Sequence, residues 1–179
     1  MSRISLDTET LGITAGSMIA QIAAVDIDNP SIFFNVYLDI STQAALGLNL
    51  DKLTVEWWNL QDPAIKAKVF GGSAYLSPSL TRLSIWLQQF DTPEIWMNSP
   101  DFDSGKILAP AYAACGQTLP WAYYQERDFR TAKALGASYL NLPYQKPTGA
   151  HDALVDAKQQ GEYIYAITTR LKSIGTNIS

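Results

Sequence analysis

The chain has 179 residues, 47% of them hydrophobic, enough to bury one substantial core, so a single domain over 1–179 is expected. No run approaches the roughly 20 apolar residues of a bilayer-crossing helix, the opening MSRISLDTET has no apolar signal core, and the one cysteine, Cys115, has no internal partner, which together predict a soluble, cytoplasmic protein with no membrane partner. A net charge of −4 argues against a duplex binder working through a basic face, although two divalent cations held by four of the 17 acidic residues would offset it locally.

Residues 3–9 (RISLDTE) alternate and predict a strand, closed by the break Thr10-Leu11-Gly12. Segments 18–27 and 31–40, rich in Ile, Val and aromatic residues, predict two more strands joined at Asp28-Asn29-Pro30 as a hairpin. From Thr54 the spacing becomes helical, first in TVEWWNLQD and then in PAIKAKVF, with Thr54 and Glu56 marking the start. A longer helix is predicted over 79–90, where Leu80, Leu83, Trp86 and Leu87 recur at three and four. Residues 94–97 (EIWM), between Pro93 and Asn98, read as a buried central strand. A helix then begins near Pro100 and runs to the Cys115-Gly116 stop, with a kink at Pro110. An edge strand is predicted over 121–125, a short helix over 128–136, and a last helix from Thr148 onward whose apolar side is Ala153, Leu154, Ala157, Tyr163, Ile164 and Ile167. Three strands, helices, strand, helix, strand, helices make an α/β chain with a mixed sheet flanked by helices, and there is no internal repeat.

Asp7 and Glu9 are two apart in a strand, so their side chains leave one face about 7 Å apart and can grip a cation between them. Two solvated acids at an exposed strand end would give the same pattern. Asp103, with Asp101 beside it, opens a helix directly after a buried strand, at a sheet edge; acids there also complement a helix dipole. His151 is the only histidine, and Asp156 follows five residues later with Asp152 between. Five helical residues turn two side chains about 140° apart, so His151 and Asp156 converge only if His151 lies in the loop or first turn. Asp152 and Asp156 share a face, and spacing does not choose between them.

Taken together, LDTET at 6–10, IAQIAAV at 19–25, WMNSPDFDSGKIL at 96–108 and GAHDALVDA at 149–157 resemble the motifs of the DEDDh 3′–5′ exonucleases. The similarity is greatest to small stand-alone phage-type and bacterial members, and VEWW at 55–58 and ERDFRT at 126–131 extend it. The resemblance implies a ribonuclease H-like mixed sheet, three antiparallel N-terminal strands followed by parallel ones. It implies that Asp7, Glu9, Asp103 and Asp156 hold two divalent cations, Mg²⁺ or Mn²⁺, and that His151 is the general base. It favours Asp103 over Asp101 and Asp156 over Asp152, and it places Thr10 and Leu11 against the terminal nucleotide, with Asn98 as a further nucleic-acid-binding residue. The expected reaction is hydrolysis from the 3′ end of nucleic acid, single-stranded DNA rather than RNA, releasing nucleoside 5′-monophosphates. RNA trimming, or a non-catalytic nucleic-acid-binding module on the same fold, are the alternatives, and a homodimer is compatible with the family.

Two hard cations with oxygen ligands can orient the attacking water and stabilise both attacking and leaving oxygens. A histidine whose ordinary pKa is near 6.5 can accept the water's proton at neutral pH. Of Trp57 and Trp58, adjacent helical residues about 100° apart, one is core and the other a stacking surface for a base. Trp57 is carried as the candidate nucleic-acid-binding residue, although the spacing does not choose between the two. Lys106, Arg127, Arg130 and Lys133 are candidate phosphate contacts.

Overall fold

The computed structural model describes residues 2–145 and 151–175. Strand β1 (Arg3–Thr10) is the middle of a five-stranded sheet. It pairs antiparallel with β2 (Ile19–Asp26), which pairs antiparallel with β3 (Phe33–Tyr37). On its other side β1 runs parallel to β4 (Glu94–Met97), and β4 parallel to β5 (Glu126–Asp128). This is the mixed sheet expected. A central strand is covered on both faces, which is why β1 is buried along nearly its whole length despite carrying polar residues at alternate positions.

The two faces differ. Ile4 and Leu6 join a large core with Ile22, Phe34, Leu80, Leu83 and Ile95, closed by α1 (Lys52–Asn59), α2 (Pro63–Phe70) and α3 (Leu76–Leu87). Ser5, Asp7 and Glu9 belong to the opposite face of the pleat, against which α6 (Ala153–Gly175) packs, with α5 (Phe129–Leu140) beside it. Gly161 of α6 lies where an added Cβ would come within 3.4 Å of the Ser5 side chain and 3.3 Å of Ile27, so this helix sits close on the sheet. A second, smaller apolar cluster of Ile27, Phe129, Tyr163, Ile164 and Ile167 seals α5, α6 and the sheet.

Several element boundaries differ from those expected. The third strand stops at Tyr37 because Asp39 caps a run of 3₁₀ turns over Ile40–Leu46, its carboxylate accepting the Ser41 amide at 2.9 Å. Helix α1 begins before Thr54, since Asp51 is the residue whose side chain accepts the Thr54 amide. Helix α3 starts and ends three residues earlier than 79–90. The predicted strand at 121–125 is a loop and a single 3₁₀ turn in which the Gln125 side chain bonds the Ala122 amide at 2.9 Å, and β5 follows it. Helix α5 continues past Gly136 to Leu140, because that glycine serves packing: a Cβ there would meet Tyr163 Oη at 2.8 Å. The expected start of the last helix at Thr148 lies outside the described residues; among those described it runs from Ala153.

The segment after β4 is not a plain helix. Asp101–Leu108 winds as π-helical turns, with the Ala109 amide bonded to the Ser104 carbonyl five residues back, and becomes α-helical only in α4 (Ala109–Ala114). Pro110 sits at the start of α4, where the ladder passes from π-helical to α-helical turns. No helix among the described residues is long and apolar enough to cross a membrane.

Candidate active site

Asp7 and Glu9 project from the last residues of β1 on the face covered by α6, and a bulge in the β1–β2 pairing falls directly after Glu9. Asp156, in the first turn of α6, meets them: the three carboxylates offer oxygens that all lie within 4.8 Å of one another. Asp103 closes the group from the π-helical segment. It is buried, accepts the Thr8 hydroxyl at 2.8 Å and is reached by the Ser99 amide at 3.4 Å. The wide π turn is what turns Asp103 inward while Asp101 stays outside, paired with Lys106 at 3.1 Å. Asp7, Glu9 and Asp156, from opposite ends of the chain, thus converge, and Asp103 stands near enough for its charge to act on Asp7.

Asp152 is set apart from this group. Its carboxylate accepts from Gln21 Nε2 at 3.0 Å, from Tyr37 Oη at 3.1 Å and from the Leu154 amide at 3.0 Å, and it forms an ion pair with Lys68 of α2. Burial pushes this carboxyl up, but the hydrogen bonds from Lys68 and Gln21 outweigh it and hold it below the ordinary range. It starts α6 and ties it to α2. The Asp152 network was not foreseen; no spacing rule links Lys68 or Gln21 to it.

His151 adopts φ 74 just before α6, a left-handed conformation uncommon outside glycine. Its backbone amide donates to Oδ2 of Asp156 at 2.8 Å, and its ring stands edge-on to Trp57 at 4.8 Å and to Trp58 at 6.3 Å. So the histidine lies off the helix and leans over the acids, with which it lines a cleft of about 480 Å³ shared by Asn98, Lys133, Tyr144 and Gln160.

The tryptophans differ in exposure, although both line one cleft. Trp58 is 2% exposed and donates Nε1 to the Thr10 carbonyl at 2.9 Å; Trp57 is 40% exposed and, with Thr8, Glu9, Ile13, Leu53 and Phe102, lines a second cleft of about 410 Å³ that shares Glu9 with the first. Thr10 lines that second cleft but spends its hydroxyl on the Gly12 carbonyl at 2.8 Å. Leu11 lies elsewhere, in an apolar pocket with Ile40, Val55 and Phe70 behind Trp58. Among the basic candidates, Arg127 pairs with Glu94 at 3.0 Å, whereas Lys133 is held over the rings of Phe129 and Tyr144, at 5.7 and 5.2 Å, at the wall of the acidic cleft.

The electrostatic cost of the cluster is visible. The Asp7 carboxyl is raised well above its usual value, first by burial and then by the charges of Asp103, Glu9 and Asp156, against a hydrogen bond from Gln160. Burial pushes Asp103 up to about 6, with Thr8 and Ser99 opposing. Burying carboxylates together is unfavourable unless cations offset them, and an all-oxygen donor set is what Mg²⁺ or Mn²⁺ prefers. Gln160 went unnoticed in the sequence, although it stands four residues after Asp156 and so on the same helical face.

A mixed β3-β2-β1-β4-β5 sheet, with carboxylates from its middle strand, from the helix after β4 and from the final helix meeting beside a histidine, defines a DEDDh-type 3′–5′ exonuclease of the ribonuclease H-like fold. More particularly, over residues 2–168 the chain belongs to the family described as the 3′-5′ exoribonuclease Rv2179c-like domain. Solved structures share the fold at low identity. The nuclease domain of 3′hExo, a DEDDh family member bound to rAMP, is 12% identical with a TM-score of 0.62, over 94% of this chain and 92% of that one. The cell-death related nuclease 4 (CRN-4) is 18% identical with a TM-score of 0.54, over 97% of this chain and 64% of that one. Pop2p of S. pombe, in its Mg²⁺- and Mn²⁺-bound form, is 15% identical with a TM-score of 0.56, over 93% and 82%. No curated protein sequence matches the chain.

Proposed function

We propose that this protein trims RNA from the 3′ end, releasing nucleoside 5′-monophosphates, with two divalent cations held by Asp7, Glu9, Asp103 and Asp156. The observation that carries the reading is the convergence of the Asp7, Glu9 and Asp156 oxygens within 4.8 Å, with Asp103 closing the group. Between the two polymers we take RNA: the family's description names an exoribonuclease, and the DNA expected from the sequence rested on no residue of the cleft. The rAMP of the 3′hExo nuclease domain and the Mg²⁺ and Mn²⁺ of Pop2p accord with this reading.

The cations, when bound, supply positive charge that activates a water and stabilises the departing oxygen. The chain does the rest. His151 takes the water's proton, its position over the acids set by its own amide bond to Asp156. Trp57 and Phe102 hold the terminal base in the second cleft, where stacking is worth roughly 1–3 kcal/mol and tolerates any base. Lys133 and Asn98 face the backbone upstream of the scissile bond.

The test is a digest of matched 5′-labelled RNA and DNA strands, with free and blocked 3′ ends, in Mn²⁺ and in EDTA. Stepwise shortening of free-ended RNA, abolished by EDTA and by Asp7→Ala, is expected. Undiminished hydrolysis by Asp7→Ala would refute the metal assignment, and DNA degraded as fast as RNA would remove the sugar preference.

A further inference from the structure

Gln160 stands on α6 one turn beyond Asp156 and is only 6% exposed. Its Nε2 donates to Oδ1 of Asp7 at 3.0 Å, while its own Oε1 is buried with no hydrogen-bond partner among the described residues. A buried amide oxygen without a donor is costly, so satisfaction of its own polar atoms does not explain a glutamine at this position. What the side chain gains is a hydrogen bond to a charged acceptor, one of the stronger kinds. The residue type also fits the surroundings. A Glu would add a fifth negative charge to the cluster, a Lys would bring a cation competing with a metal, and a Met would fill the volume without a donor.

Resting on the metal reading above, we propose that Gln160 is a positioning residue that fixes Oδ1 of Asp7, leaves Oδ2 to the cation, and thereby sets the affinity of the site for divalent metal. Strand β1 fixes where the Asp7 side chain begins, but the final torsion of a carboxylate is broad and nearly twofold. One hydrogen bond selects an orientation. Because the donor is four residues from Asp156 on the same helix, the relative placement of two ligands from opposite ends of the chain is tied to a single rigid element. Partners that orient a metal-ligating group typically account for 10–100-fold in metal affinity.

Calorimetric titration of Mn²⁺ alone into metal-free protein tests this, comparing wild type with Gln160→Met, which keeps the length of the side chain, and with Gln160→Ala in case the thioether does not pack. Both variants should bind Mn²⁺ about 10–100-fold more weakly. Their thermal midpoints in EDTA should stay close to wild type, and kcat should return when Mn²⁺ is raised to saturation. A folded variant that binds Mn²⁺ as tightly as wild type overturns the role of Gln160 while leaving the metal reading intact. Wild-type protein that takes up no Mn²⁺ overturns the metal reading itself.

Discussion

The backbone amide of His151 donates to Oδ2 of Asp156 across 2.8 Å, although residues five apart cannot share a helical face. The left-handed turn at His151 makes the bond possible, and the imidazole lies against Trp57. The histidine is therefore joined to the acids through its main chain, and its ring can be removed without disturbing that link.

From this, His151→Ala should lower kcat on RNA by about 10²–10⁴-fold, the usual contribution of a general base. Its Mn²⁺ affinity, measured by calorimetry, should barely change, since the amide on Asp156 persists. A large loss of metal binding in this variant would mean that the ring, not the amide, matters to Asp156.

Asp156 in α6 and Asp152 just before it should separate by substitution. Asp156→Asn is expected to abolish activity and weaken Mn²⁺ binding while retaining the fold. Asp152→Asn should keep Mn²⁺ binding but lose the Lys68 pair, and Lys68→Ala should lower the melting temperature by a few degrees. Removing one partner of a fully buried pair costs about 3–5 kcal/mol; the exposure of Lys68 reduces this to about 1–2 kcal/mol. Equal Mn²⁺ affinities for Asp156→Asn and wild type would sink the ligand assignment.

A pH signature follows from Asp103. Its carboxyl is pushed up to about 6 by burial, against about 3.9 in an unfolded chain, so between these values the folded protein keeps a proton that the unfolded chain has lost. The stability this confers is complete below about pH 4 and disappears as pH rises to about 6. In EDTA, the melting temperature of Asp103→Asn relative to wild type should climb across that interval, and Mn²⁺ at neutral pH should raise wild type alone. A pH-independent difference between the two proteins would show that Asp103 titrates normally.

Trp57 and Trp58 should behave oppositely. Trp57→Ala removes a half-exposed ring and should weaken RNA binding by roughly 1–3 kcal/mol per stacked base, read as a raised KM, with little thermal change. Trp58→Ala empties a core position and frees the Thr10 carbonyl, costing about 3–5 kcal/mol in denaturant unfolding. Similar thermal losses in both variants would count against this division.

What could be read from the sequence was whatever depends on local periodicity. Alternation marked β1, richness in Ile, Val and aromatic residues marked β2, and the short apolar run EIWM marked β4, because strands buried in a sheet leave such traces. The carboxylate motifs stood out through their resemblance to the DEDDh exonucleases, since spacing alone left Asp101 open beside Asp103 and Asp152 open beside Asp156. Hidden were features that depend on contacts distant in sequence. Asp152 looks no different from Asp156 until Lys68, 84 residues away, is seen to claim it. The π turns around Asp103 could not be told from an ordinary helix, since one extra residue per turn leaves no compositional trace. The start of β5 was obscured by Trp121, which looks like a strand residue but is buried by bonding its indole to Glu126 at 3.0 Å.

The position of Asp7 and Glu9 in the middle strand has a consequence for how the chain can go wrong. With β2 on one side and β4 on the other, a slip of β1 by a single residue would turn both carboxylates to the face now held by Ile4 and Leu6 and turn leucine to the face packed by α6. Such an isomer loses its apolar core along with its chemistry. A tidy but inert misfold of this kind is closed to the protein, and material that survives heating or proteolysis can be trusted to carry its two strand acids on the working side.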